Sequence, residues 1–133
     1  MAVAKKIELY GDNSAGDVMP FTVSSSVAIP KGTLLVLSAT PRTAAAHSTF
    51  MEKFVGVANA EKDSADTSTQ LGVWTNGIFE FSASGSISDG DIVALSGTPN
   101  FVYASNTLTD PRQFVGMALN DAASNLVVVR VLK

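Results

Sequence analysis

The residues able to do chemistry in this chain are few, and they are scattered. His47 is the single histidine and has Ser48 beside it. No acidic residue stands at a spacing that completes a triad, and no Gly-x-Ser-x-Gly elbow occurs. His47 therefore reads as a bystander in an Ala/Ser/Thr stretch. Glu61, Asp63 and Asp66 lie close enough to suggest a cation site. They lack the Asp-x-Asp-x-Asp-Gly order of a calcium loop, so a solvated loop is the expected reading. Asp12 and Asp17 flank a glycine loop, and Asp89-Gly90-Asp91 sits in a turn. Aspartates in such places serve turn formation. Gly11 to Gly16 lacks the Gly-Lys-Ser/Thr ending of a phosphate loop. Trp74, Phe79, Phe81, Phe101 and Tyr103 would suit sugar stacking if exposed, but aromatics at alternating strand positions more often fill a core. No catalytic residue, metal site or cofactor is expected, and the chain is not expected to be an enzyme.

Composition narrows the classes further. A chain of 133 residues suits one domain and can bury about two-thirds of its unfolded surface. There is no cysteine, which excludes disulfides and thiolate chemistry. A net charge of −3 with 9 basic residues argues against nucleic-acid binding. No apolar run approaches the roughly 20 residues of a membrane-spanning helix. Lys5 and Lys6 have no apolar stretch behind them, so the start does not read as a secretory signal. Only 16% of residues are charged, against about 25% in an average globular chain, so little repulsion keeps copies apart.

The elements that must position these residues are strands. Val, Ile and Thr number 15, 5 and 11, and serine and glycine are abundant. That is the composition of short strands joined by tight turns. Strands are expected at residues 21–23, 33–38, 54–60, 71–75, 78–82, 91–96, 101–103, 114–119 and 126–132. Thr75-Asn76-Gly77-Ile78 is the sharpest hairpin signal, since Asn-Gly takes the positive φ angles of a two-residue turn. No long window carries a helical apolar period, and only residues 43–51, with three alanines, invite one short helical turn. In the last strand Val127, Val129 and Val131 point one way, and Leu126, Val128, Arg130 and Leu132 the other.

The chain also repeats itself. Residues 21–41 align with 79–99 at an offset of 58, and nine of the 21 positions are identical. Phe54-Val-Gly-Val-Ala58 returns as Phe114-Val-Gly-Met-Ala118 at an offset of 60. Each unit opens on Ile-x-x-Gly, where glycine supplies a backbone angle that other residues resist. A buried strand follows and is stopped by Ser-x-Thr-Pro, because proline cannot extend a central strand. In Phe-Val-Gly-x-Ala the glycine and alanine admit another backbone or a bulky ring. One unit alone exposes an apolar face, so the two units should pack on each other about a pseudo-twofold axis. The expected fold is all-β: a compact barrel-like or sandwich-like domain of two similar halves, at about 21–75 and 79–132. Residues 1–20 form an arm or edge strand ahead of a single β domain at 21–133. Lys6-Ile7-Glu8-Leu9-Tyr10 alternates as a strand does, and the Gly-rich loop behind it leaves both readings open.

The order of these motifs resembles the small capsid decoration (cement) proteins of tailed bacteriophages. The likeness is carried by Gly11-Asp12 after the first strand, Ile29-Pro-Lys-Gly32-Thr-Leu-Leu-Val, Phe54-Val-Gly-Val-Ala58 and Val73-Trp-Thr-Asn-Gly77-Ile-Phe-Glu-Phe81. It continues through Ile87-Ser-Asp-Gly90-Asp-Ile-Val and Phe114-Val-Gly-Met-Ala118. It covers nearly the whole chain, and departs at residues 43–51 and the longer 61–69 loop. The resemblance implies a protein made in the host cytoplasm that sits on the outer surface of the virion. It would hold neighbouring major capsid subunits together, often as a homotrimer, with no role for nucleic acid or membrane. It also implies an N-terminal arm that touches the shell or a neighbour, here Ala2, Val3, Lys5, Lys6, Ile7, Leu9 and Tyr10. The alternative is a virion-surface or extracellular module that binds glycans through exposed aromatics.

Overall fold

A computed structural model describes residues 3–8, 18–50, 52–107 and 110–132. Eleven strands form in these segments: β1 Lys5–Glu8, β2 Val18–Thr22, β3 Leu34–Leu37, β4 Ala44–Ala46, β5 Phe54–Ala58, β6 Gln70–Trp74, β7 Asn76–Ala83, β8 Ile92–Leu95, β9 Phe101–Ala104, β10 Phe114–Ala118 and β11 Leu126–Leu132. A single 3-10 turn, Pro111–Gln113, precedes β10 and is capped by Asp110. The fold is all-β, as composition and periodicity led one to expect.

The two halves have the same strand order. The first sheet runs β2-β6-β5-β3-β4, and the second runs β7-β11-β10-β8-β9 with β1 added outside β7. In the second sheet β7 also pairs with β9 in parallel, which closes five strands into a barrel. The first sheet makes the equivalent closure with one parallel bridge, Thr22 to Thr43. Each repeated motif builds the same piece in both halves. Gly32 and Gly90 adopt φ of 88° and 87°, and their N–H groups donate to Ala58 O and Ala118 O, both at 2.9 Å. Ser38 and Ser96 fold back on the next turn, accepting from the N–H of Thr40 at 3.2 Å and Thr98 at 3.1 Å. The central glycines of β5 and β10 answer the expectation of close approach. A Cβ on Gly56 would strike Trp74 O, and one on Gly116 would strike Arg130 O.

Three local expectations are corrected. Asn76-Gly77 makes no hairpin: both residues lie inside β7, opposite Leu132 and Val131. The chain crosses at Thr75 from one sheet to the other, because β6 already has β2 and β5 on its edges. The two-residue turn with positive φ at both positions falls instead at Ser124 and Asn125, between β10 and β11. Residues 44–46 form β4 rather than a helical turn, since pairing with β3 outweighs alanine's helix preference. Finally, the opening strands match two residues away from the sequence alignment. Phe21 faces Leu71 as Phe81 faces Val127, so Phe21 corresponds to Phe81 and not to Phe79. The loop after β2 is longer by two residues, which restores the offset of 58 at Ile29 and Ile87. A shift of two preserves which face is buried, so hydrophobic patterning could not detect it.

The core explains the run Leu34-Leu-Val-Leu37. Leu35 points into the first sheet with Val23, Ile29, Ala44, Ala58, Leu71 and Val73. Leu34 and Val36 point the other way, and with Phe54, Val57 and Trp74 they join the second barrel's interior cluster. β3 is thus apolar on both faces because both are covered over Leu34–Val36, while Leu37 at its end is exposed. Phe79 and Phe81 are fully buried in that cluster, each worth about 1.5–3 kcal/mol of transfer free energy.

Candidate functional site

The expected arm is partly in view. Lys5 and Lys6 stand opposite Glu80 and Phe79 in β1, and Ile7 falls at a bulge in that pairing. Val3 is 36% exposed, while Ala4 is buried and donates its N–H to Gly32 O at 2.7 Å. Ala2, Leu9 and Tyr10 lie outside the described residues, as do Gly11 to Gly16, Asp12 and Asp17. Of the two readings for this segment, Lys5–Glu8 forms an edge strand of the molecule's own second sheet. β1 ends that sheet, and its outer edge takes no strand among the described residues. An unpaired edge carries a row of free backbone donors and acceptors, a ready site for another strand.

The polar residues singled out from the sequence have structural work. His47 is no bystander: it is buried where the two halves meet. Its Nδ1 accepts from the Asn100 N–H at 3.0 Å, so Nε2 carries the proton. That Nε2–H is shared between Ser96 O at 2.8 Å and Thr49 O at 3.0 Å. Asn100 Oδ1 completes the seam by accepting from the Leu34 N–H at 3.0 Å. In the acidic loop the cation is the protein's own. Buried Lys62 donates from Nζ to Ser25 O, Val27 O and Asp66 O at 3.1, 3.2 and 2.8 Å. No group of three or more metal-ligating side chains occurs among the described residues. Asp91 closes its turn by accepting from the Ser88 N–H at 2.8 Å and from Asn106 at 3.0 Å. The Asn106 amide first, and the Ser88 N–H second, hold its carboxyl below the usual range. Asp110 is held lower, at about 2, chiefly by the Arg112 guanidinium 2.7 Å away.

The aromatics separate into two sets. Trp74, Phe79 and Phe81 are buried, which removes them from any stacking platform. Phe101 and Tyr103 are half-buried. Phe50, which sequence reasoning passed over, is 57% exposed and stacks on Tyr103 with ring centroids 5.1 Å apart. Sequence reasoning also passed over exposed apolar side chains at Val18, Met19, Val27, Leu37, Met117 and Leu119. The described surface thus offers apolar side chains and a free strand edge rather than a set of converging reactive groups.

A family model described as phage cement protein matches residues 13–132. The chain belongs to the phage cement protein family. This cement protein is therefore a structural protein of the phage capsid, and its place is the virion. Its fold is similar to the crystal structure of the head fiber gp8.5 N base of bacteriophage phi29. The TM-score is 0.54 at 18% sequence identity, over 86% of this chain and 94% of that one. At that identity the likeness speaks for the fold alone. No curated protein matches the chain.

Proposed function

We propose that this cement protein binds the outer surface of the capsid as a homotrimer and holds neighbouring major capsid subunits together by adhesion rather than catalysis. The family membership carries this reading. The surface supports it, because exposed apolar side chains and the open edge of β1 suit many modest contacts. Apolar area buried on the shell contributes about 25 cal/mol per Å² before ordering costs, and three linked copies multiply modest affinity by avidity. In this reading the N-terminal segment, with Ala2, Val3, Lys5, Lys6, Ile7, Leu9 and Tyr10, meets the shell or a neighbouring copy. The protein is made in the host cytoplasm and joins the particle there.

The test is co-sedimentation with expanded and unexpanded procapsids, with occupancy measured per particle. Binding to the expanded form is expected, and binding to neither form would refute the reading. A chain carrying Lys5→Gln and Lys6→Gln sets no like charge opposite Glu80 and is expected to lose occupancy. Unchanged occupancy would remove the two lysines from the mechanism. Glycan binding is the second reading, and only the Phe50–Tyr103 pair favours it. It requires glycan-array binding that disappears in Phe50→Ala.

A further inference from the structure

β2 and β7 open the two halves, and residues 18–22 of one answer residues 78–82 of the other. They are held very differently. β7 buries every second side chain, with Phe79 and Phe81 fully inside. β2 buries none: Val18 and Met19 are 43% and 48% exposed, Pro20 is exposed, and Phe21 and Thr22 are half-buried. Met19 pairs with Val73 as Phe79 pairs with Val129, so an exposed methionine stands where the second barrel has a core ring.

Backbone pairing differs in the same sense. β7 is flanked along both edges. β11 lies on one, and β1 and β9 share the other, with Lys5 opposite Glu80 and Phe101 opposite Ser82. The Ser84 N–H adds a bond to Val102 O at 2.7 Å. β2 has β6 along one edge. Its other edge carries, among the described residues, a single bridge from Thr22 to Thr43, with the Thr22 N–H donating to Arg42 O at 3.2 Å. Strand geometry gives the reason. Thr22 sends its N–H across this closure, and Val23 sends its own the opposite way, to Thr69 O at 2.9 Å. N–H groups alternate along a strand, so Pro20 turns its nitrogen toward the closure, and proline has no hydrogen there to give. Its counterpart Glu80 has Lys5 of β1 opposite it. Directly after β2 the chain is firmly held: Val23 is buried in the first barrel's inner cluster.

We propose that β2 is a strap on the first barrel. Residues 18–22 swing off β6 as one unit, hinged at Val23, while the other strands stay folded. Local opening needs far less free energy than global unfolding where few buried apolar contacts and few pairings are lost. Opening frees the β6 backbone groups that pair with Met19 and Phe21, and it uncovers Leu71 and Val73, which are buried while the strap is closed. The open form therefore has a second unpaired strand edge besides that of β1.

Thiol labelling with a maleimide tests this on the full chain, which has no cysteine of its own. Val73→Cys places a thiol under β2, and Val129→Cys places one at the equivalent point under β7; both positions are fully buried. Val73→Cys is expected to label at least about a hundredfold faster than Val129→Cys in buffer. Its rate should be nearly flat in low urea, as a small opening requires, while that of Val129→Cys should climb steeply with urea. Hydrogen exchange by NMR on the unmodified protein supplies the second readout and stands if either variant folds poorly. The Met19 and Phe21 amides should exchange about a hundredfold faster than those of Phe79 and Phe81. Equal labelling of the two thiols would overturn the proposal. So would Met19 and Phe21 amides as protected as those of Phe79 and Phe81, since any fast labelling would then come from another strand. Neither measurement involves a capsid, so either failure leaves the capsid reading untouched.

Discussion

Replacing His47 with alanine removes the polar joint between the halves, and its cost follows from the contacts. The imidazole is 2% exposed, accepts one backbone N–H and donates to two carbonyls. Alanine leaves the Asn100 N–H and Ser96 O without that partner. Each buried polar group so orphaned costs about 1–3 kcal/mol, and the space vacated by the ring adds a cavity penalty. A loss of about 2–5 kcal/mol is expected, out of the roughly 5–15 kcal/mol that holds a domain of this kind. At this chain length that corresponds to a fall in Tm of about 7–18 °C. Urea denaturation followed by Trp74 fluorescence reads it directly, since Trp74 sits at the same seam. A double-mutant cycle with Asn100→Ala adds the decisive measurement. The two side chains share one network, so their effects should be non-additive by about 0.5–3 kcal/mol. A loss under about 1 kcal/mol from His47→Ala would refute the reasoning, and so would strict additivity.

The glycines of β5 and β10 make a sharper structural prediction. Gly116→Ala drives a methyl into Arg130 O, and Gly56→Ala drives one into Trp74 O. Both should destabilise by more than the roughly 1–3 kcal/mol of ordinary overpacking, because backbone cannot step aside; soluble yield and melting temperature report this. Lys62→Met should cost about 2 kcal/mol, since three carbonyls lose a charged donor, and should speed amide exchange at Ile29 and Asp66. The Asp110 carboxyl, at about 2 when folded and near 3.8 when free, contributes stability that is complete only above about pH 5. That contribution disappears as pH falls through about 2. A carboxyl titration by NMR that places Asp110 at its ordinary value would remove the Arg112 contact from the account.

Several features were legible because they are local. Gly32 and Gly90 stand where a positive φ is needed, and the structure places that turn at both. The alternation in Leu126–Leu132 put Val127, Val129 and Val131 on one face, and that face is the buried one. The glycine of Phe-Val-Gly-x-Ala foretold a close backbone, and Trp74 O and Arg130 O are that backbone. His47 was illegible for the opposite reason. Its partners Ser96 and Asn100 lie about fifty residues away, and nothing nearby announces them. Asn76-Gly77 misled because a turn preference is weaker than the pairings open to the strands on either side.

Residue order by itself determined which segments become strands, β4 excepted, where most of them turn, and that the chain is built twice. These follow from φ preferences and from the period of two that any strand imposes. Tertiary structure alone decided that Trp74 ends one sheet while Asn76 begins the other, and that the first sheet's outer face covers the second barrel while the equivalent face of the second stays open. The physical reason is that the repeats are alike in backbone but unlike in side chains. Leu34, Val57 and Trp74 on one copy are matched by Ile92, Met117 and Arg130 on the other. Only when both surfaces are brought face to face does the more apolar one become the one that is buried.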